Sequence, residues 1–544
     1  MTRGLGLVVA MALLLLGAAG CSPKEAKYSL TIVTTGCGGA NPFQGVQFVR
    51  IRVLGDGITT PLEVVAPASS KSAVLPDIPA GSNRVIEVRA YDNDPTVGGR
   101  VVSIGHTLPF TVPDLIDGAI PEAELQKSVI LRQVGTWTQP VSLTERERCQ
   151  AMASARAAHT ATLLPSGKVL IAGGFHIPSP NDRFRVSLGL TEIFDPSTGV
   201  FTPAKEFSFI DTNKTETKLF KAFHTASLLP TAQVLIWGGE KYSVISGVNV
   251  VAPQSEVLVY DVGANRFNAT QRGTGPAAIP RTQHQAVVDS GGRVLVVGGL
   301  RFNSSGSGPR LIPVNEFEWF DANDPTPRVL ETAMVKRVDS AAAAVNKGEF
   351  IAVAGGTDGT ALRDEVVFFK WEDRGFKQVT QQAPPRLAAP GRRNAAAVSF
   401  RDGADMLVLG GYSDPTAIRP VQTTEIVQSG VATVARGADI GSRGELCAVT
   451  LKDGNTVLAI GGRTADMAGM MVRSDATTMI VRNDGRGGTT GQNGPSLAVA
   501  RYLHTCTLLH DGSVLVTGGL NETPANPSGE VLNDAWIYTP VPAD

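Results

Sequence analysis

The sequence has almost no excess charge, few cysteines and few aromatic residues. Among 544 residues, 49 Lys and Arg stand against 50 Asp and Glu, which argues against a basic surface for nucleic acid. The P-loop, GxSxG, HExxH and paired CxxC patterns are all absent, which removes the common nucleotide, hydrolase and metal sites. We therefore expect no nucleic-acid partner, no cofactor, no bound metal and no catalytic residue.

Only the N-terminal segment carries a long apolar run. Residues 1–20 contain Arg3, an apolar stretch over residues 5–16 and then small residues, which is the pattern of a signal peptide. The stretch is shorter than a membrane span, and no later run approaches about 18 apolar residues. We expect an exported protein with no membrane-spanning segment.

The residues AAGC at positions 18–21 resemble the lipobox of bacterial lipoproteins. The resemblance implies cleavage before Cys21 and acylation of its sulfur. Acyl chains would anchor the chain to a membrane, because each buried CH₂ group adds about 0.8 kcal/mol. Ser22 in place of an Asp favours the outer membrane of a Gram-negative bacterium. The alternative is an ordinary secretory signal followed by a chance cysteine.

The four remaining cysteines are too few for a disulfide scaffold in so long a chain. Cys37 and Cys149 could form a bridge between the leading region and the start of the repeats, and the sequence leaves this pairing open. Cys447 and Cys506 fall in apolar strand patterns, so they are predicted to be small buried hydrophobic residues.

Two sequence marks repeat seven times along the chain. Each repeat has a Gly-Gly pair after an apolar run and a Lys or Arg 17 or 18 residues before it, and successive pairs are 51 to 65 residues apart. The pairs begin at Gly173, Gly238, Gly298, Gly355, Gly410, Gly461 and Gly518. The cations are Arg156, Lys221, Arg281, Arg337, Arg393, Arg443 and Arg501, with Glu192, Glu256, Glu316, Glu365 and Glu425 as expected carboxylate partners.

Each repeat is predicted to contain four short strands separated by turn residues. In the first repeat these strands cover residues 159–164, 169–172, 191–195 and 200–202. Four strands in each of seven units predict a seven-bladed β-propeller. The block RAAHTATLLPSGKVLIAGG at 156–174 resembles the bacterial Kelch and galactose-oxidase-central-domain repeat. The resemblance covers about residues 134–544 and implies a fold rather than a function.

The predicted fold class is all-β, with a seven-bladed Kelch-type β-propeller behind a small β-sandwich. Residues 21–133 lack the repeat marks, and alternating runs such as 49–53 predict a sandwich similar to carboxypeptidase-regulatory-like or immunoglobulin-like modules. The last repeat has only three strands of its own. Residues 134–139 match a fourth strand, so we expect them to close the propeller of residues 134–544.

Four histidines occupy equivalent positions in four repeats: His159, His224, His284 and His504. They could converge on a metal ion, but we favour hydrogen bonding within or between blades, because a true site rarely keeps the register of a repeat. A copper-radical site of the galactose oxidase family needs a Tyr-His pair. None of the seven Tyr directly precedes a His, so we reject the copper-oxidase hypothesis.

Insertions between the second and third strands of the first three repeats carry the candidate binding residues, because Arg beside aromatic residues suits an interface. These rim residues are Arg183, Phe184, Arg185, Tyr242, Arg301, Phe302 and Arg310. Variable loop decoration is the alternative interpretation. The predicted function is a membrane-anchored, non-catalytic scaffold of the cell envelope that binds a protein or glycan partner. The alternative is a carbohydrate-active enzyme with a pocket at the propeller axis.

Overall fold

A computed structural model describes residues 8–9, 28–37, 41–70, 75–114, 122–143, 148–178, 184–210, 214–245, 247–269, 278–303, 310–332, 336–381, 383–429, 434–466 and 471–542. Nearly all regular structure in these segments is β. Glu122–Leu125 is the one α-helix among them, and Pro95–Val97 is a single 3₁₀ turn. No helix within the described segments is long and apolar enough to cross a membrane.

The N-terminal unit is a sandwich of two sheets. The smaller sheet contains Ser29–Val33 and Gln126–Ile130, and Val8–Val9 of the predicted signal peptide pair with Ser29–Val33 at its edge. Cleavage before Cys21 would remove this edge strand and leave the other two paired. The larger sheet contains Phe48–Leu54, Leu62–Pro67, Gly81–Tyr91, Val101–His106, Phe110–Val112 and Arg132–Gln133. Leu30 and Val129 of the smaller sheet share one buried core with Ile51, Val53 and Val88 of the larger sheet. The strands alternate because one face of each sheet packs inward.

Seven four-stranded antiparallel sheets follow and form the blades of a Kelch-type propeller, as the sequence predicts. From the innermost strand outwards, the first three blades contain Thr160–Leu163, Val169–Ala172, Thr191–Asp195 and Val200–Pro203 (blade 1); Thr225–Leu228, Val234–Trp237, Val257–Asp261 and Arg266–Ala269 (blade 2); and Gln285–Val288, Val294–Val297, Glu316–Asp321 and Asp324–Thr332 (blade 3). The next two contain Ala341–Val345, Phe350–Ala354, Val366–Glu372 and Gly375–Gln378 (blade 4); and Ala396–Phe400, Asp405–Leu409, Thr423–Gln428 and Ala435–Asp439 (blade 5). The last two contain Cys447–Thr450, Thr456–Ile460, Thr478–Asn483 and Thr489–Asn493 (blade 6); and Thr505–Leu508, Val514–Thr517, Ala535–Thr539 and Thr136–Thr138 (blade 7).

The innermost strands of neighbouring blades contact each other all the way round, with blade 7 beside blade 1. The outermost strand of blade 7 comes from the segment before the first repeat: Thr136–Thr138 pairs antiparallel with Ala535–Thr539. The indole N–H of Trp137 donates to the carbonyl oxygen of Pro495 in blade 6 at 2.9 Å. The two ends of the repeat region therefore meet in one sheet, and Thr136–Thr138 covers the strand edge that Ala535–Thr539 would otherwise expose.

Five of the seven blades carry an extra two-stranded hairpin between their second and third strands. The hairpins are Phe175–His176 with Val186–Ser187 in blade 1, Glu240–Ile245 with Val248–Pro253 in blade 2, Leu300–Asn303 with Arg310–Pro313 in blade 3, Arg463–Ala465 with Val472–Ser474 in blade 6, and Leu520–Thr523 with Asn526–Val531 in blade 7. A further hairpin, Ser208–Ile210 with Glu216–Lys218, lies between blades 1 and 2. The inserted hairpins all rise from the face where the Gly-Gly pairs lie.

The core is divided between neighbouring blades. In blade 1, Val169 and Ile171 pack towards blade 7, whereas Leu170 and Ala172 pack towards blade 2. Successive side chains of a strand point to opposite faces of its sheet, so a strand buried on both faces needs apolar residues at every position. This explains why each Gly-Gly pair follows an uninterrupted apolar run.

The cysteine pairs differ in part from the prediction. Cys37 and Cys149 form a disulfide, the pairing that the sequence left open. Cys447 and Cys506 also form a disulfide, so their prediction as unpaired hydrophobic residues was wrong. They lie in the innermost strands of blades 6 and 7, which follow one another in the ring and contact each other side by side. A separation of 59 residues gave no local sign of this contact.

Candidate functional site

The repeated cations form a buried ring, here named the cation ring, under the hairpin-bearing face. Each one donates a hydrogen bond to the carbonyl oxygen of the first glycine of its own blade's pair, at 2.9 to 3.1 Å. Its members are Arg156, Lys221, Arg281, Arg337, Arg392, Arg443 and Arg501, all nearly or fully buried. Charged donors satisfy carbonyl groups that the sharp turn at the glycines leaves without strand partners.

Two members of the predicted charge pattern were wrong. In blade 5 the ring residue is Arg392 and not Arg393, because Arg392 bonds Gly410 and pairs with Glu425. In blade 3 the partner of Arg281 is Glu318 at 2.7 Å, whereas Glu316 pairs with Arg301 on the hairpin. A one-residue or two-residue change of register, which the sequence pattern does not fix, decides each case.

Three of the four repeated histidines link neighbouring blades. The Nε2 atoms of His159, His224 and His284 are hydrogen-bonded to Thr517, Thr160 and Thr225 of the preceding blade, at 2.9 to 3.0 Å. Burial lowers the pKa of His224 to about 3 and the pKa of His504 to about 3, so these rings are neutral. No group of three or more His, Cys, Asp or Glu side chains among the described residues is placed to hold a metal ion.

A second ring, here named the axial ring, lies two residues after the cation ring in every blade. Its members are Ala158, Phe223, Gln283, Asp339, Asn394, Glu445 and Leu503. All seven have a left-handed backbone, with φ between 50° and 56°. This conformation is costly for residues other than glycine, and such residues cluster at binding sites. The same strained backbone therefore presents seven different side chains at the axis.

Backbone hydrogen bonds divide the axial ring into two arcs. Along the first arc, each of Ala158, Phe223 and Gln283 donates its N–H to the preceding blade, starting from the carbonyl of Leu503. Along the second arc, Asn394 donates to Asp339 and Glu445 donates to Asn394, both at 2.9 Å. The described residues contain no such bond from Asp339 to Gln283 or from Leu503 to Glu445. One arc is mainly apolar, and the other carries an amide between two carboxylates.

All seven axial-ring residues line one cavity of about 570 Å³, here named the axial pocket. This volume is in the range of small-ligand sites. Burial raises the pKa of Asp339 to about 6, while the charge of Arg393 works in the opposite direction and Glu445 adds to the rise. The Tyr412 hydroxyl donates to Glu445 at 2.8 Å. A carboxyl group with a pKa near 6 is mostly ionised at neutral pH, so Asp339 then carries a negative charge.

Three arginines reach the axial pocket, and each guanidinium lies over an aromatic ring. The pairs are Arg185 over Phe175 at 4.5 Å, Arg393 over Tyr412 at 5.1 Å and Arg463 over Tyr502 at 5.0 Å, measured to the ring centroids. Arg463 also binds Glu522 with two N–O contacts of 2.6 and 2.9 Å. Stacking and ion pairing fix the directions in which these cations face the pocket.

The predicted rim residues do not form one surface. Arg185 lines the axial pocket, and Tyr242 is buried against Phe175. Arg301 is paired with Glu316 at 2.9 Å. Phe184 is half-buried, whereas Phe302 and Arg310 are exposed on the blade 3 hairpin. Arg183 and the predicted lipidation site Cys21 lie outside the described residues.

The blade 2 hairpin, Glu240–Ile245 with Val248–Pro253, is the most apolar part of the rim. Its side chains Val244, Ile245 and Val248 are 44%, 60% and 61% exposed. Its second strand contacts the blade 3 hairpin, where Phe302 is also exposed. Contiguous exposed apolar side chains mark an interaction surface more often than isolated ones do.

The axial ring was not predicted from the sequence, and neither were Arg393 and Arg463 as pocket residues. A signal was present, because the position two residues after each cation keeps its register while its residue type changes in every repeat. When equivalent positions keep the same backbone conformation but differ in side chain, the side chain is not needed to hold the repeat together. This variation could have identified the pocket lining before the structure was known.

Comparison with known proteins supports the fold and nothing finer. No protein-family model and no curated protein matches the chain. A fungal alcohol oxidase of the AA5 family, solved in complex with copper, is 16% identical with a TM-score of 0.50, over 75% of this chain and 77% of the oxidase. The structure of YjhT is 14% identical with a TM-score of 0.42, over 63% of this chain and 99% of YjhT. The likeness is one of fold: β-rich and galactose-oxidase-like.

The residues at the axis do not fit the copper ion that the oxidase holds. Three of the four nearby histidines are bonded to threonines, and no described cluster has the ligand number that a copper site needs. The polar arc offers two carboxylates and an amide, which are hard ligands beside two arginines. No copper chemistry is assigned to this chain.

Proposed function

We propose that this chain is a lipid-anchored binding protein of the cell envelope that recognises a protein or glycan partner through the hairpin-bearing face of its propeller. The observation that carries the proposal is the exposed apolar blade 2 hairpin beside Phe302 of blade 3. Burying such side chains against a partner yields about 25 cal/mol per Å² of apolar area. The exposed Arg310, in the second strand of the blade 3 hairpin, adds a charged group to the same face.

The envelope location is supported by the signal-like N-terminus and by cysteine chemistry. The lipobox-like residues 18–21 support Cys21 as the acylation site. Two disulfides join Cys37 to Cys149 and Cys447 to Cys506, and disulfides persist mainly in exported proteins. The rigid closed ring suits a scaffold, because partner binding then requires little ordering of the propeller itself.

Affinity capture from envelope extract tests the proposal, with the Cys21→Ser chain as bait. The same substitution should move the protein from the membrane fraction to the soluble fraction. A triple variant, Val244→Ser, Ile245→Ser and Val248→Ser, should lose the captured partner, because it removes the exposed apolar surface. The control is Ile210→Ser, which changes a residue that is 71% exposed on the hairpin between blades 1 and 2. Equal capture by all three baits would contradict the proposal.

A carbohydrate-active enzyme is the second candidate, and one observation favours it. Asp339 and Glu445 bring two carboxyl groups into the axial pocket, and burial raises the pKa of Asp339 to about 6, as a general acid requires. Release of product from a glycan panel, abolished by Asp339→Asn while the fold is kept, would establish this activity. Absence of turnover on the whole panel would count against it.

A further inference from the structure

We propose that the axial pocket binds a small zwitterionic ligand, a free amino acid or short peptide, with its carboxylate against Arg185 and its ammonium group against the arc of Asp339, Asn394 and Glu445. This site uses none of the exposed apolar side chains of the blade 2 hairpin and does not depend on the partner proposed above. Arg185 extends from the blade 1 hairpin, whereas the polar arc belongs to blades 4, 5 and 6. In a ring of seven blades these elements lie on opposite sides of the axis.

The carboxylate end of the site is set by Arg185. Its guanidinium is held 4.5 Å above Phe175 and 5.9 Å from the ring of Tyr242. Its one side-chain hydrogen bond among the described residues is a long one, from Nη1 to the Tyr242 hydroxyl at 3.5 Å, and no described carboxylate lies within ion-pair distance. Burial raises the pKa of the nearby Glu240, which disfavours its charged form. A stacked guanidinium with free donors is a ready site for a planar carboxylate.

The ammonium end of the site is set by two carboxylates on one arc. The contact between Asp339 and its cation Arg393 is 3.8 Å long. Arg393 donates its shorter hydrogen bonds to other groups, at 2.6 Å to the Asn394 side-chain oxygen and at 2.9 Å to the carbonyl oxygen of Asp414. Glu445 is likewise 3.9 Å from Arg463, which binds Glu522 more closely at 2.6 Å. Partly desolvated carboxylates whose cations lie this far away gain from a shorter bond to an ammonium donor.

The two gaps in the axial ring add backbone groups to both ends of the arc. The carbonyls of Gln283 and Glu445 and the N–H groups of Asp339 and Leu503 have no backbone partner across these gaps in the described chain. A carbonyl accepts from an ammonium group and an N–H donates to a carboxylate, so a zwitterion can satisfy both kinds of group. Each gap thus places one carbonyl and one N–H at the pocket wall, which suits a ligand that carries both donors and acceptors.

Charge and size exclude simpler ligands. Arg393 and Arg463 already have carboxylate partners, whereas Arg185 has none among the described residues. A purely cationic ligand would leave Arg185 without an acceptor, and a purely anionic ligand would add negative charge beside Asp339 and Glu445. The apolar arc of Leu503, Ala158 and Phe223 offers a surface for the ligand's carbon atoms. A volume of about 570 Å³ suits an amino acid or short peptide better than a bare ion.

The test measures binding of defined probes to the full Cys21→Ser chain by calorimetry. The probes are the twenty free amino acids, dialanine and trialanine, so that free amino acids and peptides are distinguished. For the best probe, removing the ammonium group by N-acetylation or the carboxylate by amidation should each weaken binding at least tenfold. Binding of no probe, or equal binding of the capped forms, would overturn the proposal.

Two variants test which residue binds each end of the ligand. Arg185→Met should weaken the best probe at least tenfold but leave its amide unaffected, because the amide no longer uses the guanidinium. Asp339→Asn should weaken the best probe but leave its N-acetyl form unaffected. The triple serine variant of the blade 2 hairpin should bind the probe as the parent does, which separates failure of this site from failure of the partner surface. Loss of binding to every form in both variants would indicate a general structural role and contradict the assignment.

Discussion

The cation ring and the axial ring are two residues apart in every blade, yet they are opposite in character. The cation ring has the same chemistry seven times, six arginines and one lysine that each bond a glycine carbonyl. The axial ring has one backbone conformation seven times but seven different side chains. One ring repeats its side chains because the fold needs them, and the other repeats only its backbone.

The difference separates structural from functional positions within a single repeat. A charge buried as deeply as Arg281 is tolerated only when its partners are fixed, so variation there is costly. The axial ring faces a cavity, where a side chain can change without breaking a packed contact. Uniformity therefore indicates the scaffold, and divergence at constant geometry indicates the binding site.

Opening the propeller that carries both rings should have the largest effect. Deleting residues 134–140 removes the outermost strand of blade 7, so we expect a sharp fall in melting temperature and loss of cooperative unfolding. The milder variant Trp137→Ala keeps the strand but removes the indole bond to Pro495, and it should cost less. Thermal unfolding followed by circular dichroism measures both, and an unchanged melt on deletion would refute closure by this strand.

Removing one member of the cation ring should have the second-largest effect on stability. Arg281→Met leaves the fully buried Glu318 without its partner, which should lower the free energy of unfolding by about 3–5 kcal/mol. Adding Glu318→Met should restore much of the loss, because no unpaired charge is then buried. The matched control is Gln283→Gly in the axial ring of the same blade, where glycine relieves the left-handed backbone and no loss is expected. Denaturant titration measures the free energy of unfolding of each variant. Equal losses for Arg281→Met and Gln283→Gly would contradict the difference drawn between the two rings.

The smallest effect should be a pH-dependent one at Asp339. Its pKa is raised to about 6 in the folded chain, so between pH 4 and 6 the folded state binds the proton more tightly, and stability falls as the pH rises. Asp339→Asn should therefore be more stable than the parent at pH 7.5, by about 1–3 kcal/mol, and equal to it near pH 4. Buried histidines such as His224 titrate in both proteins and cancel in the difference.

A control of opposite sign accompanies this measurement. Hydrogen bonds from the Thr360 hydroxyl and from the backbone N–H groups of Ala361 and Thr360 lower the pKa of Asp358. Its stabilising contribution is present at neutral pH and is lost as the pH falls, so Asp358→Asn should be the less stable protein at pH 7.5. The melting temperature of each variant is measured from pH 4 to 8 and compared with that of the parent. A change of the same sign in both variants at pH 7.5 would contradict the burial of Asp339.

Much of the fold was predictable, because each repeat is defined by hydrogen bonds between residues close in the chain and by the periodicity of its strands. The cation and the glycine it bonds lie 17 or 18 residues apart within one blade, as Arg156 and Gly173 do. The candidate site was predicted less well. Arg185 was identified from its aromatic neighbours, but it was assigned to the rim rather than to the axis. Asp339 and Glu445 were not identified, because single carboxylates in different repeats form no motif.

The sequence by itself determined the number of blades, the all-β class and the buried faces, since each follows from residues close together in the chain. Tertiary structure alone decided which side chains meet at the axis, because residues from seven repeats converge only when the ring closes. It also decided that Arg392 rather than Arg393 joins the cation ring, and that Cys447 pairs with Cys506. These depend on strand register and blade order, which no local pattern encodes.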